Sequence, residues 1–417
     1  MNFEELSHFS VKIRNFKCFG VEEQGFDSFK PINIILGRNN SGKSSLLEVI
    51  QLAVELESDL EELDISSTTN NWNLEQSGGQ LIFQDKISSQ LLNQVFPFKS
   101  ASERFQSGID YYLKWFVNKS LKWSLSNSKR KPITINGQYI ESLDFWEGRE
   151  NTQAKIQNIT SGMRNTFTEK KYYKLSPNRD IIPEPNTSKI NLEANGRGFT
   201  NLMQRCLNNA TLNKRDLVER NLLEQLNSIL VPDAQFSRIL CQQLDNNNWE
   251  IYLEEEQKGR VALSQSGHGL KTVIIVLCYT ILVPRVFDQA LDQCIFAFEE
   301  LENNLHPALL RRLLNYLEKV AIEEKCLFFL STHSSIVIDL FSQSQNAQIV
   351  HVTHDGKQSK VKAVNTYVEN KDLLFDLGIR ASDLLQANCI IWVEGPSDRI
   401  YINRWIELWS EGELKEG

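Results

Sequence analysis

The chain has 417 residues, of which 41% are apolar and 24% charged, with a net charge of −8 at pH 7. This composition excludes a collagen-like, largely disordered or disulfide-stapled chain, and the length predicts two or three domains around a large core. The acidic balance supplies no general basic field, so a nucleic-acid contact would need a local patch. The seven cysteines are scattered, form no C-x-x-C pair and lie mostly in apolar runs such as CIFAF and CLFFL. That is the pattern of buried free thiols in a reducing compartment. The N-terminus lacks the cationic and apolar regions of a signal peptide, and the longest apolar stretch, TVIIVLCYTILV (272–283), is short for a bilayer span. The expected location is the cytoplasm, without membrane contact.

Two strands, FSVKIRNF and INIILG (32–37), lead into a helix that begins at Ser44. A polar, turn-rich loop follows at 66–79. From Leu81 to Leu175 short aromatic β-like runs (DYYLKWFVN, LKWSLS, KPITING, KYYKLS) predict an antiparallel lobe inserted into an α/β core. The three prolines of SPNRDIIPEPNTS (176–188) mark a boundary. Helices resume over 200–230, and FSRILCQQL and WEIYLEEE flank DNNN as a hairpin. After Ser264 helices and strands alternate. CIFAF and CLFFL read as buried parallel strands, being continuous apolar runs between helices. NCIIWVEG reads as a further strand, followed by the helix SDRIYINRWIELW.

The strongest chemical signal is G-R-N-N-S-G-K-S, Gly37 to Ser44, between an apolar strand and an amphipathic helix. Glycines let backbone N–H groups curl around phosphate oxygens, a lysine reaches the β/γ-phosphates, and the hydroxyl after it ligates Mg²⁺. Gly37, Asn39, Asn40, Ser41, Gly42, Lys43, Ser44 and Ser45 are the candidate cradle, aided by the positive end of the helix. In CIFAFEELENNLHP (294–307) a buried strand ends in Glu299 and Glu300. Glu299 is the candidate metal residue and Glu300 the candidate base for an attacking water. ALSQSGHGLKTVIIVL (262–277) sets Ser264, Ser266, Gly267 and Gly269 at a helix start, either as a phosphate-facing turn or as an ordinary capped terminus. CLFFLSTHSS sets His333 just past a buried strand, one strand–helix–strand step from Glu300, either beside the γ-phosphate or as a structural histidine.

In this order the four segments resemble the ABC-type ATPases: phosphate loop, signature turn, Walker B acids and switch histidine. The resemblance implies an α/β P-loop ATPase head split by a large inserted lobe, binding ATP and Mg²⁺ between two heads of a homodimer. The tail LGIRASDLLQANCIIWVEGPSDRIYINRWIEL (377–408) resembles the junction of the OLD (overcoming lysogenisation defect) family, where such a head precedes a TOPRIM nuclease domain. In that resemblance Glu394 of Val393–Asp398 is a metal-linked catalytic residue. The implied organisation is a first half-head (1–80), an inserted lobe (81–230), a second half-head (231–375) and the start of a TOPRIM-like α/β domain (376–417). The implied function is an OLD-like, ATP-gated endonuclease head that acts on DNA in anti-phage defence. The alternatives are a nucleotide-switched scaffold for a separate effector or nuclease subunit and a P-loop small-molecule kinase.

The chain departs from the resemblance at three points. Leu301 replaces the proline of E-E-P-E, the signature is not L-S-G-G-Q, and the sequence ends at Gly417 before a TOPRIM D-x-D pair. The chain alone is therefore expected not to cut DNA. Four weaker signals have two readings each. Phe16–Phe19 is an adenine contact or core. Gln80 and Gln84 are metal-contacting or solvated glutamines. Arg179 is a phosphate sensor or a surface salt bridge. LKWSLSNSKRKP (121–132) is a DNA contact or a solvated hairpin tip.

Overall fold

The computed structural model describes residues 3–58, 79–96, 115–126, 129–140, 149–209, 212, 214–256, 259–341, 344–364, 391 and 393–409. The chain divides into two compact units, Met1–Val364 and Asn365–Gly417.

In the first unit β1 (Ser10–Arg14), β2 (Gln24–Phe26) and β3 (Ile32–Leu36) precede helix α1 (Lys43–Ser58). Next come β4 (Gln80–Lys86), β5 (Ser120–Ser126), β6 (Lys129–Ile135), β7 (Gln138–Tyr139), helix α2 (Arg149–Gly162), β8 (Lys171–Leu175) and β9 (Glu184–Pro185). Helices α3 (Phe199–Asn208) and α4 (Leu223–Leu230) lead to β10 (Arg238–Gln243), β11 (Asn248–Glu255) and β12 (Gly259–Ala262). Helix α5 begins at His268, followed by β13 (Cys294–Glu299), α6 (Pro307–Glu323), β14 (Leu327–Thr332), α7 (Ser335–Phe341), β15 (Ala347–His354) and β16 (Ser359–Val364).

The central sheet has the order β16-β15-β3-β14-β13-β8. Its neighbours are parallel except the β15–β16 pair. Every residue of β3, β13 and β14 is buried. Strands covered on both faces are apolar along most of their length, which is why CIFAF and CLFFL read as continuous apolar runs; β3 holds one buried polar residue, Asn33. A second, antiparallel sheet runs β2-β1-β4-β5-β6-β7, and a third joins β9 through β12. The first two sheets share one core. Phe9 packs edge-on to Phe167 at 5.0 Å, and Phe26 packs edge-on to Phe329 of the central sheet at 5.4 Å. Each such ring contributes about 1.5–3 kcal/mol by leaving water.

Several expectations need correction. The span 81–230 is not one inserted lobe. β4 pairs with β1 (Val11 opposite Phe83), so β4–β7 extend a sheet that the first strand begins. β8, in the run KYYKLS, is the parallel edge strand of the central sheet, beside β13. In DYYLKWFVN, Trp115 and Phe116 are helical rather than strand, and the run's first residues lie outside the described ones. The apolar run 272–283 belongs to a longer helix, His268–Val286, whose 19 residues at mean hydropathy 1.7 would suffice to cross a membrane. It is 78% buried inside the unit, the environment of a core helix. Of the two readings of Phe16–Phe19, core packing holds: Phe16 and Phe19 are 4% and 2% exposed. Trp123 of LKWSLSNSKRKP is fully buried and stacks on Phe83, so it presents no face to a base; the hairpin tip at 127–128 lies outside the described residues.

In the second unit a helix spans Pro396–Trp409. Most of NCIIWVEG, with Cys389, lies outside the described residues.

Candidate active site

β3, β14 and β13 are consecutive parallel strands, so their C-terminal ends share one edge of the sheet. Parallel α/β folds place ligands at that edge. β3 feeds the turn Gly37–Gly42, and α1 leaves it. A side chain at Gly37 would meet the Val352 carbonyl at 2.3 Å, so only glycine lets the turn lie against β15. Gly42 has φ +110°, with Cys18 Sγ and Ser359 Oγ each 2.8 Å from where a Cβ would stand. Asn40 is left-handed too (φ 61°), a conformation asparagine tolerates. Asn39 and Asn40 are exposed, Ser45 is half-buried, and Ser41 is buried with its carbonyl accepting from Ser359 Oγ at 2.6 Å.

Lys43 Nζ curls back over the turn and donates to the carbonyls of Gly37 (2.8 Å) and Arg38 (3.0 Å). Burial lowers its pKa below the ordinary lysine value, against the pull of Glu300, Glu302 and Glu299. A phosphate chain would supply the anionic partner this ammonium has only at a distance. Next to it, the Ser44 hydroxyl donates to Glu299 Oε2. Two residues 255 positions apart thus meet, one from the phosphate loop and one from the acid strand. Lys174 Nζ lies 2.9 Å from the other oxygen, Glu299 Oε1. Hydroxyl and carboxylate oxygens are the donors a small hard cation takes, so Ser44 and Glu299 fit Mg²⁺.

β13 ends at Glu299, and the chain turns at Glu300 in the left-handed region (φ 47°). Asn303 Nδ2 donates to Glu300 Oε2 at 3.0 Å and fixes the carboxylate's direction. Arg179 holds the main chain of this turn. Its guanidinium donates to the carbonyls of Glu299 (2.8 Å), Glu300 (2.9 Å) and Ser176 (2.9 Å), and to Thr272 Oγ1 (3.0 Å) on α5. It is 8% exposed, and burial pushes its pKa down to about 10, against the pull of Glu302 and Glu300. Arg179 is therefore neither a surface ion pair nor free to reach a ligand. Arg179→Met removes the donor from three main-chain carbonyls. At about 1–3 kcal/mol per unsatisfied buried group, it should destabilise the unit by roughly 3 kcal/mol or more in denaturant unfolding. Arg179→Lys should recover part of that loss.

His333 follows β14. Its backbone N–H donates to Glu302 Oε1 at 3.0 Å, and Nδ1 lies 3.6 Å from the same oxygen. Glu302 also accepts from Thr332 Oγ1 at 2.7 Å. A third acid thus orients the histidine segment.

The signature segment packs beside the acid turn. The Ser264 hydroxyl donates to Glu250 on β11, and Ser266 Oγ donates to the Ala262 carbonyl at 2.9 Å. Gly267 caps α5 and is exposed; Gly269 packs so closely on the acid turn that a Cβ would meet the Asn304 carbonyl at 2.8 Å. Lys271 bridges Asp180 Oδ1 (2.6 Å) and the Ser264 carbonyl (2.7 Å). Gln80 and Gln84 both lie on β4, where Gln80 Oε1 accepts from Arg14 Nε at 2.9 Å. Glu394 is exposed in the second unit, just ahead of a turn in which Gly395 N donates to Asp398 at 3.0 Å. No cluster of three or more metal-ligating side chains occurs among the described residues.

A family described as "AAA domain, putative AbiEii toxin, Type IV TA system" matches residues 32–339, from β3 into α7. The chain belongs to this AAA-domain family. It has a mixed α/β P-loop fold and is an ATPase. A Helicobacter pylori (strain ATCC 700392 / 26695) protein named "ATP/GTP phosphatase" is 25% identical over 354 residues, 80% of this chain and 87% of that protein. Among solved structures, an SMC head bound to the C-winged helix domain of ScpA is 13% identical, with TM-score 0.44, covering 85% of this chain and 96% of that one. The SMC head domain from Thermotoga maritima is 13% identical, with TM-score 0.38, covering 85% and 98%.

The AAA-domain ATPase thus brings Lys43, Ser44, Glu299 and Glu300 to one sheet edge, with His333 tied to the third acid of the same turn. Sequence reasoning missed Lys174, Glu302 and Asn303, and underweighted Arg179. The run E-E-L-E-N was the available signal for Glu302 and Asn303.

Proposed function

We propose that this AAA-domain ATPase is an ATP-binding head that hydrolyses ATP at the edge of β3, β14 and β13 and dimerises around the nucleotide to gate a second activity. The observation that carries this reading is the bond from the Ser44 hydroxyl to Glu299, with Glu300 one residue further on. Lys43 and the N–H groups at the start of α1 bind the phosphates. A magnesium ion held by Ser44 and Glu299 would neutralise charge developing on the transferred group. Glu300, steered by Asn303, takes the proton of the attacking water, and His333 lies at the rim of the same turn. The name of the Helicobacter pylori relative supports triphosphate hydrolysis.

The dimer reading is supported by the exposed start of α5. Ser264 and Ser266 donate to Glu250 and Ala262 within their own segment, and Gly267 at the start of α5 is exposed, so its backbone can face a neighbour's phosphates. The gated activity is read as DNA processing in phage defence in the cytoplasm, by a nuclease module that opens at Val393–Asp398 and in which Glu394 is a metal residue. Val393 and Glu394 are exposed ahead of a capped helix, which is compatible with such an opening. A scaffold that recruits a separate effector is the second reading, favoured if the chain copurifies with one and turns ATP over slowly. The direct test is light scattering with Mg²⁺ and a non-hydrolysable ATP analogue. The 48.0 kDa chain should double in mass. A monomer at saturating analogue would sink the dimer.

A further inference from the structure

The mechanism above leaves one cation at the metal site without a role. β8 pairs in parallel with β13, with Lys174 opposite Ala297 and Leu175 opposite Phe298. Side chains on neighbouring strands alternate in step, so Lys174 shares a face with Ala297 and with Glu299 two residues on. A long side chain spans that diagonal. The Lys174 ammonium duly lies 2.9 Å from Glu299 Oε1, while Oε2 accepts from Ser44. The carboxylate is 6% exposed and has both oxygens engaged; Lys174 is 26% exposed. Its main chain is anchored, because Tyr279 Oη donates to the Lys174 carbonyl at 2.9 Å. The strand end is thus fixed while the ammonium keeps a path to solvent.

We propose that Lys174 is a positioning residue that competes with the divalent cation for Glu299 and thereby sets how much Mg²⁺ the site requires. The proposal rests on the reading that Ser44 and Glu299 hold that cation. A buried carboxylate without a partner is costly, so the ammonium steadies Glu299 and holds it toward Ser44. The same ammonium repels a second cation at the same oxygen and must swing outward as one binds. The lysine therefore stabilises the protein without metal and raises the metal concentration needed to fill the site.

Two variants and two readouts test this. In EDTA, Lys174→Met should melt below wild type, and saturating Mg²⁺ with ADP should close most of the gap. In a Mg²⁺ titration followed with a fluorescent ATP analogue, the midpoint should fall about tenfold for Lys174→Met, the factor that 1.4 kcal/mol of relieved competition produces. Lys174→Arg, which keeps the charge, should hold the midpoint at or above wild type. A lower melting temperature with an unchanged midpoint makes the lysine merely structural and overturns the proposal. Weaker nucleotide binding by Lys174→Met in EDTA means that the ammonium touches phosphate, which overturns it too. If wild-type nucleotide binding ignores Mg²⁺, the metal reading itself fails and takes the competition with it; the EDTA melting difference would then report the ion pair alone.

Discussion

Lys43→Ala is expected to abolish nucleotide binding with little change in stability without nucleotide, the relieved desolvation of the ammonium offsetting the two donations it makes to the Gly37 and Arg38 carbonyls. Lys43 is 6% exposed, and its ammonium contacts two main-chain carbonyls, neither of which carries a charge. Burial disfavours its charged form, as its lowered pKa records. Folding therefore carries a desolvated cation whose cost the acids Glu300, Glu302 and Glu299 offset in part and a bound polyphosphate would offset further. Replacing it by alanine removes that cost together with the site's main attraction for the β- and γ-phosphates. Melting curves with and without Mg²⁺·ATP separate the two effects. Wild type should be stabilised by nucleotide, by RT ln(1 + [L]/Kd), and the variant should not. A variant that melts higher with ATP, by the wild-type increment, would remove Lys43 from the phosphate site.

The second large effect is at Glu300. Glu300→Gln should slow hydrolysis at least about a hundredfold, the usual contribution of a positioned base, while ATP binding persists. The amide is isosteric with the acid and can still accept the bond from Asn303 Nδ2, and Arg179 holds the backbone at φ 47° whichever side chain is present. Structure and binding should therefore survive a change that removes only proton-accepting capacity. Glu299→Gln should behave differently. It weakens the partner of Ser44 and Lys174, so the Mg²⁺ requirement should move as well as the rate. Single-turnover hydrolysis with matched binding measurements distinguishes the two acids. A normal rate in Glu300→Gln would place the base elsewhere on the acid turn.

What could be read in the sequence follows from how each element is buried. β3, β13 and β14 were legible because strands covered on both faces are mostly apolar, the polar residues of β13 and β14 falling at their C-terminal ends and β3 holding one, Asn33, inside. The glycine-lysine turn was legible because its backbone needs are so specific; no residue but glycine fits at Gly37. β8 was not legible. As an edge strand it is exposed at Lys171, half-buried from Tyr172 to Lys174, and buried only at Leu175, which imitates a solvated antiparallel strand. Misplacing β8 also hid Lys174, whose role depends on which strand lies beside β13. Arg179 was hidden for a different reason. Its acceptors are mainly backbone carbonyls, and a sequence does not say which carbonyls a guanidinium will meet. Gln80 and Gln84 were candidates by residue type alone, and β4 carries both into the antiparallel sheet.

The order of strands in the central sheet also has a consequence during synthesis. β3 leaves the ribosome long before either of its neighbours, β14 and β15, which are encoded far downstream. Asn33, for instance, donates to the Phe328 carbonyl 295 residues away. At elongation of about 5–20 residues per second, that partner arrives roughly 15–60 s later. Throughout that interval Ile32–Leu36, wholly buried in the finished sheet, has no permanent strand on either side. The nascent chain must shelter this greasy segment against the early phenylalanines or a holdase, and a ribosome stalled before β14 would leave it as a sticky, unpaired edge.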